Sequence, residues 1–451
     1  MSDATERTVV LCEGAELAVE VARAAAHVGV QVEPRPSSDP AADAAMVLQA
    51  GGVAALAVAT PPSPRALVSL ASAAHGRQGP VVAAILAPPD DAAATVALAG
   101  DLGIVAVDEV RPFASALALV RGGARAPWAA ATRQLPDVDR VRLARVVGVT
   151  ERSGGRLVRA DDGQLGWTDG DSVHRIGEPR DAALAIAALS AASGPSAHAA
   201  SILEGVDRSA VQEVLFGPPR PLSDPASKAA LQPYGVPVPV EELCTSPSRA
   251  SAEAARMGFP VRIALASPDL RVWDHPDLAV DGVDNAARVR DVFRQMMTLA
   301  KSRTPEARLL GVTVTATSVA RALLRVELRP LPEGLVLAQI GFADPHGVAA
   351  GDHTRTALPA PVDRIERVLA RLAGATLLLS GTPTQRRETV EAIADVLLRL
   401  AAFARDHHDE VESVEVDPMA VLVGGGVELR EACVRVGDAF LRSLEAPAAG
   451  G

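Results

Sequence analysis

The feature that most constrains the fold is an alternation, through residues 7–122, of short β-branched runs with longer amphipathic stretches. Thr8–Leu11, Ala54–Ala59, Val81–Leu86 and Ile104–Val107 are apolar on both faces, as strands buried inside a sheet must be. Between and after them, Ala15–His27, Ser63–His75, Ala92–Leu102 and Pro112–Arg121 carry helical periodicity, and Ser63-Pro64 supplies an N-cap with a first-turn proline. Helices at this spacing can cross over between parallel strands, so the pattern predicts a parallel doubly wound sheet. The chain is 48% hydrophobic but holds only 7 Phe, 3 Trp and 1 Tyr, so its cores must be built from Ala, Val and Leu. The loop after the first strand, CEGAEL, has a single glycine and lacks the spacing of a dinucleotide-binding turn.

The texture changes from about Arg125. Gly154–Ile176 carries Asp162-Gly163 and Asp169-Gly170 between short alternating runs, which predicts a hairpin or three-stranded meander. Ala182–Ala192 reads as an Ala-rich helix. Gly217–Pro225, with four prolines in nine residues, reads as a linker. A second α/β unit follows. Asp224 is placed to cap a helix running to Tyr234. Val261–Ala266, Val312–Ala316, Leu323–Leu328 and Leu335–Ile340 are strand-like, and Asn285–Ala300 and Thr389–Asp406 are long amphipathic helices. Short strands close the chain at Val414–Val416, Ala420–Val423 and Val427–Cys433. The expected organisation is a doubly wound domain over 1–125, a connecting region over 126–216 and a second domain over 217–451.

A net charge of −11 disfavours nucleic acid and anionic membranes as partners. No run approaches the ~18 apolar residues of a membrane span, and the amino terminus lacks a basic segment before an apolar one. Cys12, Cys244 and Cys433 are far apart with no metal-ligand spacing, so they read as buried free thiols in a reducing, cytoplasmic setting. Of 44 basic residues, only Lys228 and Lys301 are lysine. Arginine grips phosphate well but does not copy a lysine point charge in a tight pocket.

Three segments carry a family resemblance. Leu222–Val240 (LSDPASKAALQPYGVPVPV), Gly258-Phe259-Pro260-Val261 followed by Ser267-Pro268-Asp269, and Val414–Val421 (VEVDPMAV) resemble the ATP-grasp domain of ADP-forming acyl-CoA synthetases, among them the acetate–CoA ligases. Ala54–Arg121 is similar to the succinyl-CoA-ligase-like, flavodoxin-type module of the same family. The resemblance implies an α/β chain in which a doubly wound parallel flavodoxin-like domain precedes an ATP-grasp domain. It implies ATP and Mg²⁺ as cofactors, and a separate partner subunit that binds CoA and carries a phosphorylated histidine.

Transferred residue by residue, the resemblance also implies that the ATP site is impaired. Where the family has a phosphate-binding lysine, this chain has Ala264; Arg262, two residues earlier on the same strand face, is the candidate substitute. The family's double-glycine phosphate loop falls on Val272–Ala279 (VWDHPDLA), where aspartates repel phosphate and Pro276 lacks an N–H. The adenine hinge falls on Thr315–Thr317, and a second glycine-rich turn falls on Gly341–Gly347. Glu415 and Asp417, alternating on one strand, and Glu431 on the next are the candidate metal carboxylates. Ser196–Ser201 places His198 as a weak counterpart of the phosphohistidine, and His407-His408 end a helix. The expectation is a ligase homologue with impaired nucleotide binding. Two alternatives remain: a scaffold that keeps the fold, or a cleft reshaped for another anion by arginines such as Arg262, Arg321, Arg325 and Arg355.

Overall fold

The computed structural model describes residues 8–74, 81–121, 208–343 and 352–445, with shorter stretches between 156 and 206. The chain divides into two compact units, the first essentially residues 1–197 and the second the remainder.

In the first unit, β1 (Thr8–Glu13), α1 (Ala15–His27), β2 (Val32–Ser37), α2 (Pro40–Gln49), β3 (Ala54–Val58), α3 (Pro64–Ala74), β4 (Val82–Ile85), α4 (Pro89–Asp101), β5 (Val105–Val107) and α5 (Val110–Arg121) alternate. The five strands form a parallel sheet in the order β2-β1-β3-β4-β5. The expected doubly wound arrangement is therefore present. One face of the sheet (Val10, Cys12, Ala55, Ala57, Val82, Ala84) packs on Leu17 and Val21 of α1 and Phe113 and Leu117 of α5. Ser63 caps α3 by accepting the Ala66 N–H at 3.2 Å. Strand β2 and helix α2 were not anticipated. Two prolines and two charges sit in β2 (VEPRPS), a composition that only an edge strand tolerates.

The strand order reverses between β1 and β3, where open α/β sheets commonly bind ligands. Here Glu13 spans that point itself, accepting the N–H groups of Ala59 and Thr60 at 2.8 and 2.7 Å and the Thr60 hydroxyl at 2.7 Å. The Thr60 bonds hold its carboxyl below the usual range. The anticipated meander is present as β6 (Arg156–Arg159), β7 (Leu165–Thr168) and β8 (Val173–Gly177), paired antiparallel in that order. Its two Asp-Gly turns, much of Ala182–Ala192, and His198 lie outside the described residues.

The second unit holds two sheets. Its elements are α6 (Arg208–Leu215), β9 (Arg220–Pro221), α7 (Asp224–Leu231), β10 (Glu241–Cys244), α8 (Pro247–Met257), β11 (Val261–Ala266), β12 (Ala279–Val283), α9 (Ala286–Arg303), β13 (Gly311–Ala316), β14 (Ala320–Pro330), β15 (Val336–Phe342) and β16 (His353–Leu358). There follow α10 (Val362–Leu369), α11 (Ala375–Leu379), α12 (Pro383–Asp406), β17 (Val411–Leu422), β18 (Val427–Leu429), β19 (Ala432–Val436) and α13 (Ala439–Glu445). A four-stranded antiparallel sheet runs β10-β13-β11-β12. A seven-stranded sheet runs β16-β15-β14-β17-β19-β9, with β18 beside β17.

Strand alternation then assigns faces. Ile263, Leu265, Val312 and Val314 pack on Val289, Phe293 and Met296 of α9 and on Ala250 and Ala254 of α8. Leu324, Val326, Leu328, Val414 and Val416 pack on Ile393, Leu397 and Leu400 of α12. The opposite parity puts Arg262 and Ala264 of β11, Arg325 of β14, and Glu415 and Asp417 of β17 on the faces away from those cores. Asn285 caps α9 through the Arg288 N–H at 2.9 Å. A capping box of Thr382 and Gln385 starts α12 at Pro383, well before the expected Thr389.

Two expectations are corrected. Ser223, not Asp224, occupies the N-cap of α7. Asp224 uses its carboxylate instead to accept Lys228 Nζ at 2.8 Å and the Ala432 N–H at 2.7 Å. The single strand expected over Val427–Cys433 is split into β18 and β19, and Glu431 lies between them.

Candidate functional site

A cleft of about 570 Å³ opens in the second unit, lined by residues of both sheets and by the segment Thr315–Val319, which ends β13 and leads into β14. Ala316, Thr317 and Val319 of this segment are exposed, and Ser318 is anchored by its carbonyl to Arg430 Nη2 at 2.6 Å. The residues that sequence reasoning placed at the adenine hinge therefore line the cleft. Its walls are largely apolar, with Ala322, Leu323, Phe342 and Leu377 contributing. Arg262, Asp281, Arg321, Glu428 and Arg430 are its charged lining residues.

Arg262 lies at the cleft but its guanidinium is committed to the protein. Nη2 donates to Glu431 Oε1 at 2.7 Å, and Nη1 sits 3.2 Å from both oxygens of Asp281 on β12. Burial works to deprotonate this arginine, and Glu431 with Asp281 more than offsets it. Both terminal guanidinium nitrogens of Arg262 are thus taken up by carboxylates. Ala264, at the family's lysine position, is 1% exposed.

A second cation is drawn into the same network. Lys228 is 4% exposed and donates to Asp224 at 2.8 Å, Glu241 at 2.6 Å and the Arg430 carbonyl at 2.7 Å. Burial alone would lower its pKa; Asp224, Glu241 and Glu431 together raise it, so it is firmly charged. Sequence reasoning counted Lys228 as one of two lysines and missed this structural role. The Asp224…Lys228 spacing, four residues apart on a helix, was the available signal. Nothing in the sequence pointed to Asp281.

The three expected metal carboxylates are each held by arginine. Glu431 is 3% exposed and bonded to Arg262; burial, then Asp224, raise its pKa to about 7 against the pull of Lys228 and Arg262. Asp417 is 6% exposed and lies 3.4 Å from Arg325; burial raises its pKa to about 6. Glu415 lies 3.2 Å from Arg271 and 3.7 Å from Arg435. The main chains of Asp417 and Glu431 do meet, with the Asp417 N–H on the Glu431 carbonyl at 3.2 Å. Their side chains are drawn to different cations. Among the described residues, no group of three or more His, Cys, Asp or Glu is arranged to hold a metal ion.

The segment expected at the phosphate loop forms two short 3-10 turns, Val272–Asp274 and Pro276–Leu278. Its aspartates are also paired: Asp274 with Arg271 at 3.0 Å, and Asp277 with Arg303 at 2.6 Å. Of the second glycine-rich turn expected over Gly341–Gly347, residues 344–347 (among them Asp344 and Pro345, which interrupt it) lie outside the described residues. His407 is buried, its ring 3.2 Å from the hydroxyl of Tyr234, which also donates to Asp406 at 3.2 Å. These two rings fasten the end of α12 to the turn after α7. His408, exposed, contacts the Arg405 carbonyl at 3.1 Å.

Two sheets bordering one cleft, linked by a short exposed hinge, make this unit an ATP-grasp domain, and a family model so described matches residues 217–436. Through that domain the chain is related to the ADP-forming acyl-CoA synthetases. It is 24% identical over 204 residues to the beta subunit of acetate–CoA ligase [ADP-forming] I of Pyrococcus furiosus, covering 44% of this chain and 85% of that protein. It is 22% identical over 221 residues to the beta subunit of ligase II of the same organism, covering 47% and 89%. Among solved structures, acetyl-coenzyme A synthetase 1 of Ca. Korarchaeum cryptofilum matches at 21% identity with a TM-score of 0.43, covering 48% of this chain and 94% of that one. Among the described residues, no helix is long and apolar enough to cross a membrane.

Proposed function

We propose that this chain is a subunit-type homologue of the ADP-forming acyl-CoA synthetases in which the ATP-grasp cleft no longer binds Mg-ATP tightly. The observation that carries the reading is the double engagement of Arg262 by Glu431 and Asp281, on a strand whose lysine position is Ala264. A triphosphate needs free cations, backbone donors and a metal. Arg262, Arg271 and Arg325 already satisfy carboxylates, and the carboxylates that would take Mg²⁺ already satisfy arginines. To bind ATP, these pairs must break, and each desolvated pair broken costs about 2–5 kcal/mol.

In this reading the chain acts with a separate subunit that binds CoA and carries the phosphohistidine. It contributes structure or regulation to that assembly and leaves phosphoryl transfer to other sites. The beta-subunit character of the Pyrococcus furiosus relatives supports a partner of this kind. Calorimetric titration of the purified chain with ATP and Mg²⁺ tests the loss of binding. Co-purification with CoA-binding subunits encoded nearby tests the partner.

A further inference from the structure

Among the described residues, every charged residue lining the cleft has an oppositely charged partner except one. Arg262 meets Asp281 and Glu431, and Arg430 meets Glu428. Among the described residues, Arg321 has no carboxylate. Its Nη2 donates to the Leu378 carbonyl at 3.1 Å and to the Thr389 hydroxyl, and its buried Nε has no hydrogen-bond partner. A buried donor left unsatisfied costs about 1–3 kcal/mol, more when charged. An unbalanced cation beside apolar walls attracts an anion more strongly than it would in water.

We propose that the cleft binds a small organic monocarboxylate with an apolar body, with Arg321 as its counter-ion. The cavity, about 570 Å³, falls within the roughly 300–1,000 Å³ typical of small-molecule sites. Leu323, Phe342 and Leu377 offer apolar contact to the body of the ligand, and the exposed Val319 stands at the hinge. One uncompensated arginine matches one negative charge. Among the described residues, a triphosphate would meet the same single free cation together with Asp281 and Glu428, so the charge count selects the monoanion. This inference rests on the reading above, that the arginine–carboxylate pairs close the cleft to Mg-ATP.

The test is calorimetric titration of the full chain with octanoate and with octanamide, an uncharged analogue of closely similar shape. Octanoate is expected to bind saturably and at least about tenfold more tightly than octanamide. Arg321→Gln should weaken octanoate by about tenfold or more, and Arg321→Lys should recover part of the loss. Absence of octanoate binding, equal binding of the two probes, or full octanoate affinity in Arg321→Gln overturns the proposal. If Arg321→Gln does not fold, the comparison of probes on the unmodified chain decides alone. Parallel titration with ATP and Mg²⁺ separates the two readings. Micromolar ATP binding defeats the impaired-site reading, whereas absence of both ATP and octanoate binding defeats only the monocarboxylate.

Discussion

Arg262 Nη2 lies 2.7 Å from Glu431 Oε1, a bond that joins β11 to the turn before β19 across 169 residues of chain. Both side chains are largely shielded from water, at 14% and 4% exposure, so each is costly to leave alone. Arg262→Ala should therefore lower stability by about 3 kcal/mol in urea unfolding. Adding Glu431→Gln should recover part of that loss, giving a coupling of about 1–3 kcal/mol in a double-mutant cycle. Additive effects would mean that the bond does not form.

The two lysines of the chain should behave in opposite ways. Lys228→Ala leaves Asp224 and Glu241 facing each other in a buried pocket, and should cost about 3–5 kcal/mol or prevent folding. Lys301, exposed in the last turn of α9, should tolerate alanine within about 0.5 kcal/mol. Chemical denaturation of the two variants reads the difference directly.

Asp417 gives a pH signature. Its folded pKa is about 6, raised by burial from the ordinary value of 3.8. Between those values the unfolded chain releases a proton that the folded chain retains, so rising pH favours unfolding. Its contribution is present below about pH 4 and is lost as pH rises to about 6, a loss on the order of 3 kcal/mol. Asp417→Asn cannot titrate. Its stability relative to the parent should climb over that window and level off above it, as followed by urea midpoints across pH. A flat difference would contradict the assignment.

Restoring the family's lysine should not restore the site. Ala264 lies on β11 between Thr313 and Ala279 of the neighbouring strands and has almost no exposed surface. Ala264→Lys should lower the melting temperature and leave ATP affinity unchanged, since the aspartates of 272–279 and the engaged Arg262 remain. A gain in ATP binding of more than about tenfold would mean that one missing charge was the sole defect.

Periodicity carried most of the fold and little of the site. Buried strands such as Val82–Ile85 announce themselves because both faces are apolar. Strand β2 was hidden by Pro34, Pro36, Glu33 and Arg35, which are acceptable because its outer edge needs no partner. The early start of α12 was available in Thr382 and Gln385, a local capping signal left unread. Alternation correctly set Arg262 on the face of Ala264, and Glu415 on the face of Asp417. It could not supply the partners, because Glu431 and Arg271 lie 169 and 144 residues from the groups they meet and Asp281 sits on the next strand, and only the folded sheets bring them together. Local pattern reveals which way a side chain points; the charge it meets there is tertiary information.

The central claim is that the arginine–carboxylate pairs of the cleft have displaced Mg-ATP, and calorimetric titration of the unmodified chain with ATP in the presence of Mg²⁺ tests it most directly. Losing the lysine and the loop donors, at about 1.4 kcal/mol per tenfold, removes several orders of magnitude of affinity. The account predicts no saturable heat in the micromolar range and no change on adding the metal. Micromolar binding that requires Mg²⁺ and disappears in Arg262→Ala would contradict it, since Arg262 would then have left Glu431 and Asp281 to hold phosphate.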